Sequence, residues 1–101
     1  MARVRRDVPL PEAMQGRWLV AEEPSELLVE GGEVTCFGAT VEYDWKEIET
    51  QYGALTVSMG VDDPRREDTF SRANITGLVI TPEGEFLGYN VKFACLFVRP
   101  D

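Results

Sequence analysis

The sequence predicts an all-β domain: an antiparallel meander of seven or eight strands, closed or nearly closed into a small barrel, with a short N-terminal helical turn. Three observations predict it. Apolar residues recur at every second position through much of the chain, the period of a strand with one buried face. Glycine and proline punctuate the chain at short intervals, which marks tight turns. No stretch carries a helical period. A two-sheet sandwich is the alternative arrangement of the same strands. At 101 residues the chain is long enough for one domain and not two. That domain is placed at residues 11–101, behind a flexible basic tail over residues 1–10.

Taken in order, Pro11–Gln15 suits one helical turn, with proline in the first helical position and Gly16 ending it. Arg17–Ala21 is the first strand, and Glu22–Ser25 is a turn. Glu26–Glu30 and Glu33–Phe37 are joined by Gly31-Gly32, which reads as a tight hairpin with positive φ at both glycines. Thr40–Lys46 alternates cleanly: Val41, Tyr43 and Trp45 face inward, and Thr40, Glu42, Asp44 and Lys46 face outward. The parity then slips to Ile48, Thr50 and Tyr52, which suggests a bulge or bend near Lys46–Glu47.

Ala54–Val61 places Leu55, Val57, Met59 and Val61 inward. Asp62–Arg72 is a long polar loop, Asn74–Thr81 is a strand, and Thr81-Pro82-Glu83-Gly84 suits a type I turn. Phe86–Val98 reads as one long strand. Leu87, Tyr89, Val91, Phe93, Cys95 and Phe97 make one apolar stripe, and the other face turns apolar at Ala94, Leu96 and Val98. Such a strand should lie at the centre of the sheet.

The net charge is −8, and nine acids against Lys46 alone between Glu22 and Glu49 account for all of it. This balance disfavours a phosphate backbone as ligand, so no nucleic acid is expected. No apolar run approaches the roughly 20 residues that cross a bilayer, and Pro9, Pro11 and Glu12 interrupt any leader-like core after the basic start. A cytoplasmic protein with no membrane partner is the expectation.

There is no histidine, so the common imidazole base, triad and metal site are absent. Cys36 and Cys95 have no redox or metal spacing; on apolar faces they read as buried thiols with raised pKa values. The carboxylate pairs Glu42/Asp44 and Asp62/Asp63 sit on an outer strand face and in an arginine-balanced turn, where they read as solvated. Arg65, Arg66 and Arg72 read as charge balance for the acids of the same loop, and Asn74-Ile75-Thr76 as a chance glycosylation triplet. No catalytic residue, metal ligand or cofactor is assigned, and no enzyme is expected.

Gly16-Arg17-Trp18 at the start of the first strand, the helical turn before it, the antiparallel meander and Arg99 after the last strand together resemble the calycin group, the lipocalins and their shorter bacterial relatives. The resemblance implies that Trp18 plugs one end of a barrel and Arg99 packs over its indole, as structural closure residues. An arginine plane over an indole is a favoured pair. The chain is shorter than a typical lipocalin, which leaves little room for a large cavity.

Two functional expectations follow. The first is a non-enzymatic lipocalin-like barrel that binds a small apolar molecule, with Tyr43, Trp45, Leu55, Val57, Tyr89, Val91 and Phe93 lining its interior. The second is an acidic protein-interaction module of the inhibitor, immunity or nucleic-acid-mimic type. It meets a basic protein partner through the 22–49 face, with Glu30, Glu33, Glu42, Asp44 and Glu47. Unpaired strand edges would favour a homodimer.

Overall fold

The computed structural model describes residues 3–100. Its ten strands form one antiparallel sheet. They are β1 (Arg3–Arg5), β2 (Gly16–Val20), β3 (Glu26–Glu30), β4 (Glu33–Cys36), β5 (Ala39–Thr40), β6 (Trp45–Gln51), β7 (Ala54–Gly60), β8 (Gly77–Ile80), β9 (Phe86–Tyr89) and β10 (Ala94–Val98). The sheet order is β1-β6-β7-β8-β9-β10-β2-β3-β4-β5. The all-β antiparallel class is therefore as expected, in one sheet and not two. The sheet curls into a half-barrel that stays open, with β1 and β5 as its unpaired edges, and it has ten strands in place of seven or eight. One 3₁₀ turn, Glu12–Met14, precedes β2, and one α-helix, α1 (Glu67–Ala73), follows β7.

Two-residue turns set much of the register. Glu30 pairs with Glu33 across Gly31-Gly32, Cys36 with Ala39 across Phe37-Gly38, and Gln51 with Ala54 across Tyr52-Gly53. The last two turns have positive φ at both central residues, the primed geometry that matches strand twist. The Gly31-Gly32 turn differs from expectation: Gly31 alone has positive φ, at 60°. Gly32 is required for space instead, because a Cβ there would overlap the Arg6 carbonyl oxygen.

Further expectations are corrected. The long last strand is a hairpin. Asn90 breaks it: its Oδ1 accepts the N–H groups of Lys92 (2.7 Å) and Phe93 (3.1 Å), and its own N–H donates to the Phe93 carbonyl. The turn inverts the side-chain parity. Phe86 and Gly88 face the core before it, and Cys95 and Phe97 after it, so the six residues of the expected stripe do not share a face. The polar loop holds α1, anchored by the one buried side chain Phe70. One apolar contact in seven residues leaves no periodicity to read.

The parity slip falls before Trp45. Val41 and Tyr43 point into the core as expected, but Trp45 lies on the outer face and Lys46 takes the inner one, with no solvent exposure. Of the expected tail over residues 1–10, positions 1 and 2 lie outside the described residues, and residues 3–10 are engaged at two points. Arg3–Arg5 pairs with β6, and Leu10 is buried, its N–H donating to the Gly31 carbonyl at 2.9 Å.

The core fills the concave side. Met14, Leu27, Val29, Val34, Val57 and Leu78 are at or near zero exposure, and Phe86 meets Trp18 and Phe97 at centroid distances of 4.6 and 5.2 Å. Gly32→Ala should cost about 2 kcal/mol or more by denaturant unfolding, because backbone must move to admit the methyl. Gly31→Ala, with open space around it, should cost only the left-handed φ, about 1 kcal/mol. Equal costs would contradict the close approach at Gly32.

Candidate functional site

The two ends of the sheet meet without strand pairing, through a polar seam. Lys46 Nζ donates to the carbonyls of Arg5 (2.9 Å) and Arg6 (3.2 Å) and to the Tyr43 hydroxyl (3.0 Å), which uses all three of its protons. The Tyr43 hydroxyl donates in turn to the Gly32 carbonyl at the β3–β4 turn. Outside this, Arg6 forms a bidentate pair with Glu33 (3.0 and 2.6 Å) and reaches Glu42 at 2.8 Å. Gln15 ties the same turn from the other side, bonding Gly31 N–H and the carbonyls of Leu10 and Gly31.

Burial lowers the Lys46 pKa and raises that of Tyr43 to about 12; the hydrogen bonds from Arg6 hold Glu33 below the usual carboxylate range. Every buried polar side-chain atom among the described residues has a partner. The seam is a satisfied lock with no reactive vacancy.

At another place in the sheet the Arg99 guanidinium lies 3.6 Å over the Trp18 ring, and the indole N–H donates to the Met14 carbonyl at 3.0 Å. The seven residues expected to line an interior site are not brought together. Tyr43 and Val57 are fully buried among side chains, and Leu55 packs against the same core. Trp45 lies outside, between Arg3 at 3.6 Å and Gly60. Tyr89 covers Gly77 on the outer face, and Val91 and Phe93 occupy the β9–β10 turn, Val91 at 75% exposure.

The expected acidic face is largely neutralised. Glu33 and Glu42 pair with Arg6, Asp44 with Arg66, and Glu47 with Arg3, while Glu30 has no ion pair among the described residues. Arg5 takes Asp62 at 2.8 Å, and Arg65 and Arg72 take Asp63 and Asp68. Asn74 caps α1 through Phe70, and Ile75 is core. Cys36 is buried and Cys95 half-buried; both are free thiols, and desolvation raises the Cys36 pKa to about 12 and that of Cys95 in the same direction. Among the described residues no three of the Cys, Asp and Glu side chains gather to hold a metal, and no helix is long and apolar enough to cross a membrane.

What sequence reading missed is on the convex face. The register aligns Val79, Leu87 and Leu96 across β8, β9 and β10, and Val98 beside Leu19 across β10 and β2. All five stay partly or fully exposed. This apolar row is bordered by Glu85 next to β9 and by Glu22 and Glu23 after β2, with Glu49 on β6 beyond Thr56; none of these acids has an ion pair among the described residues. The parity inversion at Asn90 creates it, and only the turn chemistry of Asn90 could have signalled it.

The chain matches no family model, no curated protein and no solved structure.

The seam contributes to the loss of stability at alkaline pH, together with the buried Cys36 thiol. Tyr43 has a raised pKa when folded, so its contribution is intact below its ordinary value of 10.0 and is lost as pH climbs from there towards about 12. Lys46, with a lowered pKa, works in the opposite sense just below 10.5. Urea unfolding from pH 9 to 12 should show a loss of stability that Tyr43→Phe makes shallower. An unchanged pH slope in that variant would contradict the placement of Tyr43.

Proposed function

We propose that this chain is a non-enzymatic protein-interaction module, which engages a basic partner through the convex face of β8, β9, β10 and β2 rather than through its interior. The observation that carries it is the aligned apolar row Val79–Leu87–Leu96 with Val98–Leu19, bordered by unpaired carboxylates. Contiguous exposed apolar surface rimmed by polar groups marks an interaction site. A carboxylate rim without counterions favours lysine and arginine on the partner and penalises an acidic one, a second copy of this −8 chain included.

The sheet edges offer less. Lys46, placed inward beneath β1, and Val8 both bond the Arg5 carbonyl, and β5 is only two residues long. The partner therefore docks on a face. The interior-ligand reading has weaker support, because the concave side is occupied by the core. The calycin-like role of Trp18 and Arg99 as closure residues belongs to the same proposal, supported by their stacking.

The experiment compares partner recovery by wild type and by Leu87→Lys and Leu96→Lys variants whose circular dichroism is native. Wild type should retain one partner of basic isoelectric point, losing it at about 0.5 M salt, where screening falls to a few ångströms. Both variants should lose it at low salt, and Tyr52→Ser, at the exposed β6–β7 tip, should keep it. A partner retained by the two lysine variants contradicts the reading.

A further inference from the structure

At one end of the half-barrel a groove of about 500 Å³ opens between Glu23, Phe37, Ala73, Phe93, Ala94 and Cys95. It reaches the core-facing Cys95 of β10 and opens between turns and α1. Its walls come from the β2–β3 turn, the β4–β5 turn, the C-terminal end of α1, the β9–β10 turn and the start of β10. An adjoining groove, lined by Ala21, Glu22 and Leu96, shares Glu23, Ala94 and Cys95 with it. The two grooves thus continue the apolar row, with the adjacent glutamates Glu22 and Glu23 at the junction.

Two aromatics stand open at this groove. Phe37 is 44% exposed and Phe93 41%, and their rings meet edge-to-face at a centroid distance of 6.1 Å. Nothing in the fold requires either to be aromatic for burial. Their positions are nevertheless fixed by backbone. Phe37 sits at φ 55° in a two-residue turn, a conformation normally given to glycine, asparagine or aspartate and strained for a bulky residue. Phe93 is held through its N–H by Asn90 Oδ1. Asn90 Nδ2 donates to the Asn74 carbonyl at 3.1 Å, fastening the turn to the residue that caps α1.

Preformed aromatic walls of this kind suit a buried anchor side chain, since little ordering entropy remains to be lost on binding. The charge beside them is acidic. Glu22 and Glu23 have no ion pair among the described residues; the exposed Lys92, next to Phe93 in sequence, lies in the β9–β10 turn.

We propose that this groove takes one large apolar side chain of the partner, and that a lysine or arginine adjacent to it in the partner's chain meets Glu22 and Glu23. This rests on the interaction-module reading and assigns the anchor that reading lacks. It differs from a small-molecule site in needing the carboxylates. It differs from docking on the strand face in using residues of turns and α1.

The test is a ¹⁵N chemical-shift titration of the full chain with three blocked peptides: Gly-Lys-Phe-Lys-Gly, Gly-Glu-Phe-Glu-Gly and Gly-Lys-Ser-Lys-Gly. A peptide this short should bind at about the millimolar level. The lysine–phenylalanine peptide should move the amides of Glu23, Phe37, Phe93 and Ala94, and should bind about ten-fold tighter than either of the others. Phe93→Ser and the double variant Glu22→Gln/Glu23→Gln should each weaken it about three- to ten-fold, and their spectra report directly whether they fold. Equal binding of the acidic or the serine peptide overturns the inference. Shifts confined to β8–β10 overturn it while leaving the interaction-module reading standing, and so does binding unaffected by removal of both carboxylates. No shifts with any peptide also overturn it, and partner recovery by the Leu87 and Leu96 variants then judges the broader reading separately.

Discussion

The contact on which the remainder of the structure depends is the meeting of Lys46, Tyr43 and Gly32 where the two ends of the sheet face each other. A curled sheet that does not close has two problems: unpaired edges and an open side to its core. Here one ammonium supplies three donors to two carbonyls and a hydroxyl, and that hydroxyl reaches the β3–β4 turn. The desolvation of a lysine is costly, and removing any one partner would strand a buried polar group. The lock therefore demands its full set. Gly32 is needed because the Arg6 backbone lies against it, and Arg6 then places its guanidinium between Glu33 and Glu42.

With the ends fixed in this way, the concave side is small and filled. Val57, Leu78, Leu27 and Val34 leave no exposure on it, and the Trp18–Arg99 stack stands beside Phe86 at a separate position along the sheet. Charge follows a similar economy. Most arginines are committed to carboxylates, and within the 22–49 segment Glu22, Glu23, Glu30 and Glu49 have no ion pair among the described residues. Glu22 and Glu23 lie where the convex apolar row and the Phe37–Phe93 groove adjoin. That distribution moves the functional reading from the inside of the barrel to its outside.

Much of the fold could be read from residue order. The Ala54–Val61 alternation and the helical turn before Gly16 each carry a local rule that the tertiary structure obeys, and the glycine pair at 31–32 marks a hairpin, with positive φ at Gly31 alone. What could not be read arises where two rules give the same pattern. Apolar alternation runs unbroken through Asn90, so a hairpin resembles one long strand until the side chain of Asn90 is seen to bond the next two N–H groups. Lys46 looks solvated because lysine usually is. Only the position of the slip, two residues earlier than the pattern suggests, turns it inward. The basic start looks like a tail because its acidic partners, Glu47, Asp62, Glu33 and Glu42, are far away in sequence. The candidate interaction surface is a product of these same misread points. It exists only because the turn at Asn90 sends Leu96 and Val98 to the outside with Leu87.

The central claim is that the interior is occupied by the protein's own side chains, and that binding belongs to the outer surface. Native mass spectrometry of freshly purified protein tests it most directly. The account predicts the mass of the polypeptide alone, with no small molecule retained. A discrete apolar adduct that disappears on denaturation would contradict it, and would return the functional site to the concave side of the sheet.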